Sequence, residues 1–307
     1  MGLDPSRTLT QYAHRIWQAQ QGLPQGTIYS ILQTHEGYLW LGTQTGLIRF
    51  DGVRFEALEN IRRSAPSNVW VRNAIEDSHH ALWLATVDSG LYRLEGDSLN
   101  RYLGKDNVQC VAEARNGDVW ACTSNGVARI AAGQLTMFST EQGLADKNVY
   151  AACQANDGTV WVGGDGASIS SWNGSRFIPR RIQKLPADAS IRSLQCSGDS
   201  IWAGSTAGLV QIDKTGERLF TSKDGLADSR VLCLSESRDG SLWIGTRNGF
   251  SRLRKGESAG KNRWDGDCRP PHTRIGLQGR PGLYAHHAQG RVCDLARPTL
   301  RGFRHQA

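Results

Sequence analysis

Short apolar segments alternate with turns along residues 8–254, and the same order of segments returns about every 40 residues. Each period opens with a β-rich stretch, passes through a tight turn into a strand centred on tryptophan, and ends with two more short strands. The opening stretches are residues 28–32, 69–75, 108–112, 149–153, 191–194 and 231–234. No sustained apolar period of 3.6 residues interrupts them, so the pattern predicts strands and turns rather than helices.

The tryptophan strand is the most regular part of each period. A turn, an apolar residue, the tryptophan, an apolar residue and a small residue follow one another, as in the two segments that begin at Asp157-Gly158 and Asp239-Gly240. Dipeptides of this kind tolerate positive φ and favour hairpins. We interpret the repeated tryptophans as packing between blades rather than as platforms for a ligand. They are Trp40, Trp83, Trp120, Trp161, Trp202 and Trp243.

A repeat of this length, made of strands and glycine turns, predicts an all-β fold: a β-propeller of about six four-stranded blades. The N-terminal segment 9–17 resembles a fourth strand without its own first three. When this segment is counted, there are six fourth strands for six sets of the first three strands. It can then close the ring by covering an exposed edge. The predicted division is a lead at residues 1–7, the propeller at 8–254 and an irregular tail at 255–307.

Several phrases carry a resemblance to a known family. They are Leu3-Asp4-Pro5-Ser6-Arg7, Gly22-Leu23-Pro24-Gln25, Gly37-Tyr38-Leu39-Trp40, Gly143-Leu144-Ala145-Asp146 and Gly225-Leu226-Ala227-Asp228. In these the chain resembles the two-component regulator propeller family, over residues 3 to about 254. The resemblance implies a periplasmic sensor region of a bacterial histidine kinase, hybrid kinase or diguanylate cyclase. It also implies dimerisation, and no chemistry in the propeller itself.

Members of that family usually carry a signal peptide, seven-bladed propellers, a membrane helix and a cytoplasmic output domain. Here the first residues lack the charged and apolar regions of a signal peptide. No run of 18 apolar residues and no kinase or cyclase motif is found. We therefore expect a non-catalytic fragment with six blades of a seven-bladed pattern. It would be periplasmic by resemblance, or cytoplasmic as the chain stands.

The tail differs from the rest of the chain in composition. Residues 255–307 hold ten Lys or Arg and four Asp or Glu, a net +6 of the +7 for the whole chain, and only one Ile and one Val. The basic residues are scattered singly, which argues against a nucleic-acid-binding arm. Two interpretations stay open: a disordered linker, or a segment read out of frame in a GC-rich gene, which we favour.

No metal or cofactor site is predicted. Cys110, Cys153, Cys196 and Cys233 fall on first strands where other repeats have small or apolar residues, so we expect free, buried thiols. The histidine pair His79-His80 lies in a turn and is expected to be solvated. No phosphate-binding glycine loop is present, and the histidine and acid constellation of a streptogramin lyase cannot be mapped onto the chain.

The mouth of the central channel is the predicted ligand site, because one residue of each innermost strand converges there. We take the residue that follows the first apolar residue of each strand. The candidates are Tyr29, Trp70, Gln109, Tyr150 and Arg192, with Leu232 in the sixth repeat. This mixture suits a sugar, a short peptide or an anionic aromatic compound. The alternatives are a protein-interaction scaffold with a filled channel, or a gene remnant without function.

Overall fold

The structure is a computed structural model. It describes residues 14–17, 22–23, 27–61, 66, 68–237 and 239–254, and four later strand segments within residues 263–295. For residues 14–16 and for the later segments only the backbone is described. The predicted lead at residues 1–7 and most of the tail lie outside the described residues.

Six four-stranded antiparallel sheets follow one another along the chain, and each is one blade. In every blade, sequence order is also spatial order. The blades consist of β2–β5 (Ser30–Gln33, Leu39–Gly42, Leu47–Phe50, Phe55–Ala57), β6–β9 (Val71–Glu76, Leu82–Thr86, Leu91–Glu95, Ser98–Tyr102), β10–β13 (Val108–Glu113, Val119–Thr123, Gly126–Ala131, Gln134–Phe138), β14–β17 (Val149–Gln154, Val160–Gly164, Ser168–Trp172, Phe177–Arg181), β18–β21 (Ile191–Ser197, Ser200–Ser205, Gly208–Asp213, Gly216–Phe220) and β22–β25 (Val231–Glu236, Leu242–Thr246, Gly249–Arg254, Arg263–Cys268).

The chain ends meet in one further sheet. Strand β1 (His14–Trp17) pairs antiparallel with β28 (Arg291–Leu295), which continues into β27 (Leu283–His287) and β26 (Arg274–Gly276). The six predicted blades are confirmed, but the N-terminal strand closes this additional sheet, whereas β25 completes the sixth blade. Strand segments thus lie where we expected an irregular tail, because β24 and β1 offer edges whose backbone groups can pair. The disorder and frameshift interpretations stay predictions.

Helix is almost absent from the described residues. The single α-helical turn, α1, covers Leu58–Ile61. Two 3₁₀ turns, Thr140–Gln142 and Ser222–Asp224, connect blades, and both begin with a capping box and end at a left-handed glycine, Gly143 or Gly225. After each glycine a buried leucine follows, so the Gly-Leu-Ala-Asp phrase anchors the inter-blade connection in the core.

The repeated tryptophans pack inside the ring. Five of the six are buried, and Trp161 is partly buried. Trp40 shares an apolar cluster with Val71 and Leu84 of the next blade, so part of the core lies between the blades. Several indole N–H groups also donate to the preceding turn; that of Trp83 lies 2.8 Å from Asp77 Oδ2. The tryptophan phrase therefore fixes both the blade interface and the hairpin.

Four of the cysteines form disulfides, contrary to the expectation of free thiols. Cys110 on β10 is joined to Cys122 on β11, and Cys153 on β14 to Cys196 on β18. The second bond links the innermost strands of neighbouring blades. Separations of 12 and 43 residues give no hint of these pairings, which only the strand register and the ring bring together. Cys233 is buried and is in neither disulfide.

Candidate functional site in the central channel

A β-bulge near the start of five innermost strands sets residues of the channel mouth, and Tyr29 takes the equivalent place in the first blade. In β10, Val108 pairs with Thr123 and Cys110 with Cys122, so Gln109 is the additional residue between them. The same register shift occurs in β6, β14, β18 and β22. In the first blade Ser30 pairs with Gly42, and the N–H of Tyr29 also donates to Gly42 O. A bulged residue leaves the pleat, so its side chain can be directed away from the blade core.

The six residues at this bulge position all line one cavity of about 810 Å³. We call them the bulge ring: Tyr29, Arg72, Gln109, Tyr150, Arg192 and Leu232. Four of the five predicted ligand-binding residues, and Leu232, are therefore brought together at the channel. Their role in binding stays a prediction.

Trp70 is the exception, and its place in the ring is taken by Arg72. Val71, not Val69, pairs with Thr86 at the start of the second blade, so the predicted register was two residues too early. The stretch Val69-Trp70-Val71-Arg72 offers two equivalent valines, and alternation alone does not decide between them. Trp70 instead packs against Tyr29, with ring centroids 5.1 Å apart, and is not among the cavity-lining residues.

The lining is rich in positive charge. Arg72 and Arg192 of the bulge ring are joined by the exposed Arg230 and Arg247, whose backbones are hydrogen-bonded to each other. Glu76 is the only carboxylate among the described lining residues, and it lies at the end of β6 away from the bulge. Four guanidinium groups around one opening create a field that attracts anions. Sequence analysis missed Arg230 and Arg247 because both lie outside the innermost strands.

Arg72 carries its charge in an unfavourable place. Burial, and to a lesser degree the nearby charge of Arg192, lowers the pKa of Arg72 below its ordinary value. Among the described residues no carboxylate lies within ion-pair distance of Arg72 or Arg192. A desolvated cation without a counter-charge destabilises a fold unless a ligand supplies that charge.

Tyr150 and Asp165 hold Arg192 in position. The Arg192 guanidinium lies 4.2 Å from the centroid of the Tyr150 ring, and Tyr150 Oη donates to Asp165 Oδ2 at 3.0 Å. Burial and this hydrogen bond raise the pKa of Tyr150. Burial alone would raise the pKa of Asp165, but donors including Ser190 and Tyr150 outweigh it and hold that pKa below its ordinary value. The tyrosine therefore stays neutral and the aspartate charged.

Two polar atoms of cavity-lining residues are buried without a hydrogen-bond partner in the described part of the chain. They are Gln109 Oε1 and Ser193 Oγ. Buried polar groups in native proteins are normally paired, and an exception calls for a ligand or water. The mouth thus offers guanidinium groups for an anion, aromatic faces, and an amide and a hydroxyl for further polar contacts.

Three segments of the chain match the family model described as two component regulator propeller: residues 22–45, 143–166 and 225–248. Each segment runs from an inter-blade turn through the first two strands of a blade. The resemblance drawn from the sequence is thereby confirmed at three of the six repeats, and the chain carries two-component regulator propeller repeats.

One curated relative and three solved structures extend this comparison. Histidine kinase P4 from Formosa agariphila is 32% identical over 89 residues, which is 26% of this chain and 6% of the kinase. The extracellular domain of the putative hybrid two component system BT3049 from B. thetaiotaomicron superposes with a TM-score of 0.76 at 19% identity, over 94% of this chain and 41% of that domain. The chain therefore spans less than half of either relative.

The other two structures are of enzymes. A streptogramin B lyase has a TM-score of 0.72 at 14% identity. The match covers 94% of this chain and 99% of the lyase chain. A catalytically inactive virginiamycin B lyase from Staphylococcus aureus, solved with quinupristin, has a TM-score of 0.69 at 13% identity. The match covers 92% of this chain and 99% of the lyase chain. At such identities the likeness shows the propeller fold alone. Among the described residues, no helix has the length and apolar character needed to span a membrane.

Proposed function

We propose that this chain, with its two-component regulator propeller repeats, is the sensory module of a bacterial signal-transduction receptor and binds a small anionic ligand at the bulge ring. The observation that carries the proposal is the desolvated Arg72, which has no carboxylate within ion-pair distance among the described residues and lies near Arg192 at the mouth of a cavity of about 810 Å³.

The chemistry of the ring defines the ligand class. Guanidinium groups bind carboxylate or sulfate in a bidentate manner, and Arg72 gains most because its charge is already desolvated. Tyr29 and Tyr150 add aromatic faces, on which sugars and aromatic acids pack. Gln109 Oε1 and Ser193 Oγ suit ligand donors such as hydroxyl groups. A carboxylated sugar or a hydroxylated aromatic acid satisfies all three requirements.

An open cavity supports ligand sensing over an interaction scaffold or an enzyme. A scaffold propeller that binds partners through its faces needs no cavity lined by arginines. The lining supplies arginine, tyrosine and amide groups rather than a nucleophile with a base, which supports binding rather than catalysis. Likeness to the two lyases, at 13–14% identity, does not weigh against this.

In its cellular setting, we place the module outside the cytoplasm within a longer receptor. The BT3049 match is an extracellular domain, and the disulfides Cys110–Cys122 and Cys153–Cys196 suit an oxidising compartment. On this proposal a membrane segment and an output domain complete the receptor, and ligand binding biases the geometry of a dimer.

Thermal-shift and calorimetric titration test the proposal. The probes are galacturonate, 4-hydroxybenzoate and citrate, with neutral galactose as the uncharged comparison. Variants Arg72→Met and Arg192→Met remove the proposed ligands for the anion. Arg181→Met, at the exposed end of β17, is the matched control because it removes the same charge far from the channel.

We expect at least one anion to raise the Tm of the parent protein and of Arg181→Met, and galactose to have no effect. Each channel variant should weaken binding of that anion about tenfold or more, since a charge-assisted hydrogen bond contributes about 1.5–3 kcal/mol. Equal binding by Arg72→Met and Arg181→Met would contradict the proposed site. Preference for the neutral sugar would contradict the ligand class.

A further inference from the structure

We propose that His35, Glu76 and His80 form a binding site for a divalent transition metal ion of the Zn²⁺ class. The cluster lies where the first and second blades meet, at the end of the innermost strands opposite the bulge ring. His35 comes from the turn after β2, and Glu76 and His80 come from the end of β6 and its following turn. The cluster lies away from the bulge ring, although Glu76 also lines the cavity, and the proposal departs from the expectation that the histidine turn is merely solvated.

The three side chains already converge. One ligand atom from each lies within 4.8 Å of the others. His35 Nδ1 contacts Glu76 Oε1, and His80 Nδ1 lies 3.7 Å from the same oxygen. The two imidazole rings lie close together, with centroids 3.7 Å apart and planes tilted by 30°. Both Nδ1 atoms therefore lie close to one carboxylate oxygen.

The carboxylate is held by a contact that recurs around the ring. Glu76 Oε2 accepts the backbone N–H of His35 at 2.7 Å, just as Glu113 accepts that of Ser78 and Gln154 that of Arg115. In each case the last residue of an innermost strand caps the turn of the preceding blade. Only in the first of these junctions do two imidazoles surround the capping group. Oε2 maintains the cap, which leaves Oε1 available to a metal.

His80 occupies a backbone position that favours glycine. Its φ is 65°, and its N–H closes the turn onto Asp77 O. The corresponding turn position is glycine in four other blades, with φ between 74° and 92°: Gly37, Gly117, Gly158 and Gly240. A side chain in the left-handed region is disfavoured, and such outliers gather at functional sites. The second blade thus places an imidazole, at a conformational cost, where the fold otherwise uses no side chain.

Two imidazoles and one carboxylate are a donor set that first-row transition metals bind, and Zn²⁺ takes such three-ligand sites with a further position open. The His35 and His80 side chains are 47% and 58% exposed, so an ion can enter directly from solvent. A bound ion would join the turns of two neighbouring blades and leave one coordination position for an oxygen or nitrogen ligand from outside.

Calorimetric titration of the chelator-treated full chain with ZnCl₂ tests the site. The variants are His35→Ala, Glu76→Gln and His80→Gly, and the matched control is His79→Ala. His79 is exposed, precedes His80 directly and is outside the cluster. Glu76→Gln keeps an acceptor for the cap but removes the anionic ligand. His80→Gly introduces the residue that other blades carry, so we expect it to fold and its metal-free Tm to equal or exceed that of the parent.

We expect His35→Ala and His80→Gly each to weaken the tightest Zn²⁺ binding at least tenfold, Glu76→Gln to weaken it as well, and His79→Ala to change it less than twofold. Unchanged Zn²⁺ affinity in His80→Gly would overturn the proposal, and would assign any binding to other histidines such as those after residue 254. A loss in His79→Ala equal to that in His80→Gly would overturn it too.

Discussion

Replacing Asp77 by asparagine should destabilise the fold, because both carboxylate oxygens accept hydrogen bonds at the turn of the second blade. Asp77 Oδ1 accepts the N–H groups of His79 and Ala81, each at 2.9 Å. Oδ2 accepts the indole N–H of Trp83 at 2.8 Å and lies 3.5 Å from Arg93 Nε. If the amide oxygen of asparagine keeps the two backbone hydrogen bonds, its NH₂ group faces the N–H donors of Trp83 and Arg93 and can accept from neither.

The magnitude follows from these contacts. Asp77 is 6% exposed and Trp83 is 2% exposed, so the indole N–H has no access to water once its acceptor is lost. A hydrogen bond to a charged group contributes about 1.5–3 kcal/mol, and a buried donor left unpaired costs about 1–3 kcal/mol. We expect a loss of about 3 kcal/mol in the free energy of unfolding, or about 6–12 °C in Tm for a domain of this size.

The pH dependence gives the same prediction an independent test. Burial alone would raise the pKa of Asp77, but hydrogen bonds from Trp83, Ala81 and His79 outweigh it, so the pKa lies below its ordinary value of 3.8. A depressed folded-state pKa contributes stability that is present above the unfolded-state pKa and is lost as pH falls through the folded-state pKa. The difference in the free energy of unfolding between the parent and Asp77→Asn should therefore be constant from about pH 5 to 8, because this range lies above the ordinary carboxyl pKa of about 4. The difference should shrink in more acidic solution.

Urea and thermal unfolding measure both quantities. The control is Asp199→Asn, since the Asp199 side chain is 76% exposed and its partner Lys214 87% exposed. That change should cost less than about 0.5 kcal/mol, as exposed ion pairs do. A loss below about 1 kcal/mol for Asp77→Asn, or a difference that grows on acidification, would refute the reasoning.

Three further predictions concern the connection, the disulfides and the channel. Gly143→Ala should lower the free energy of unfolding by at least about 1–2 kcal/mol in urea titration, because φ is +95° and the added Cβ would lie 2.1 Å from Phe177 O; an unchanged midpoint would contradict this. Peptide mapping without reductant should recover Cys153 joined to Cys196, and reduction should cost up to about 4 kcal/mol for a loop of 43 residues; finding both thiols free would refute the pairing. Arg72→Met should raise the Tm of the ligand-free protein by a few degrees, equivalent to about 1 kcal/mol, because it removes a desolvated charge; a lower Tm would show that Arg72 stabilises the fold.

The blades could be predicted from the sequence because their signals are local. The Trp phrase and the Asp-Gly turns each act within about ten residues, and the strands they predicted are those of the structure. The bulge ring was predictable only in part. In four repeats a single apolar residue opens the strand, whereas Val69 and Val71 compete in the second repeat and only the pairing of Val71 with Thr86 resolves the register.

Contacts between blades lay beyond sequence reasoning for a physical reason. The pairing of Cys153 with Cys196 and the approach of His35 to Glu76 join residues 43 and 41 positions apart, on neighbouring blades. One blade period separates each pair, so a repeat of about 40 residues makes such contacts systematic. No single repeat contains both partners, and spacing alone does not say which side chains meet.

The bulge near the start of β6, β10, β14, β18 and β22 separates residues that pack in the core from a residue that faces the cavity. The residues on either side of it, such as Val108 and Cys110, are buried and carry the packing, while the bulged residue between them faces the cavity. Substitutions at the bulge should therefore leave the core intact, whereas substitutions of Tyr150 and Arg192, whose side chains are in contact, should act non-additively on affinity. On the proposed function, a change of a few bulge-ring side chains would alter which compound is bound without changing the packing between blades.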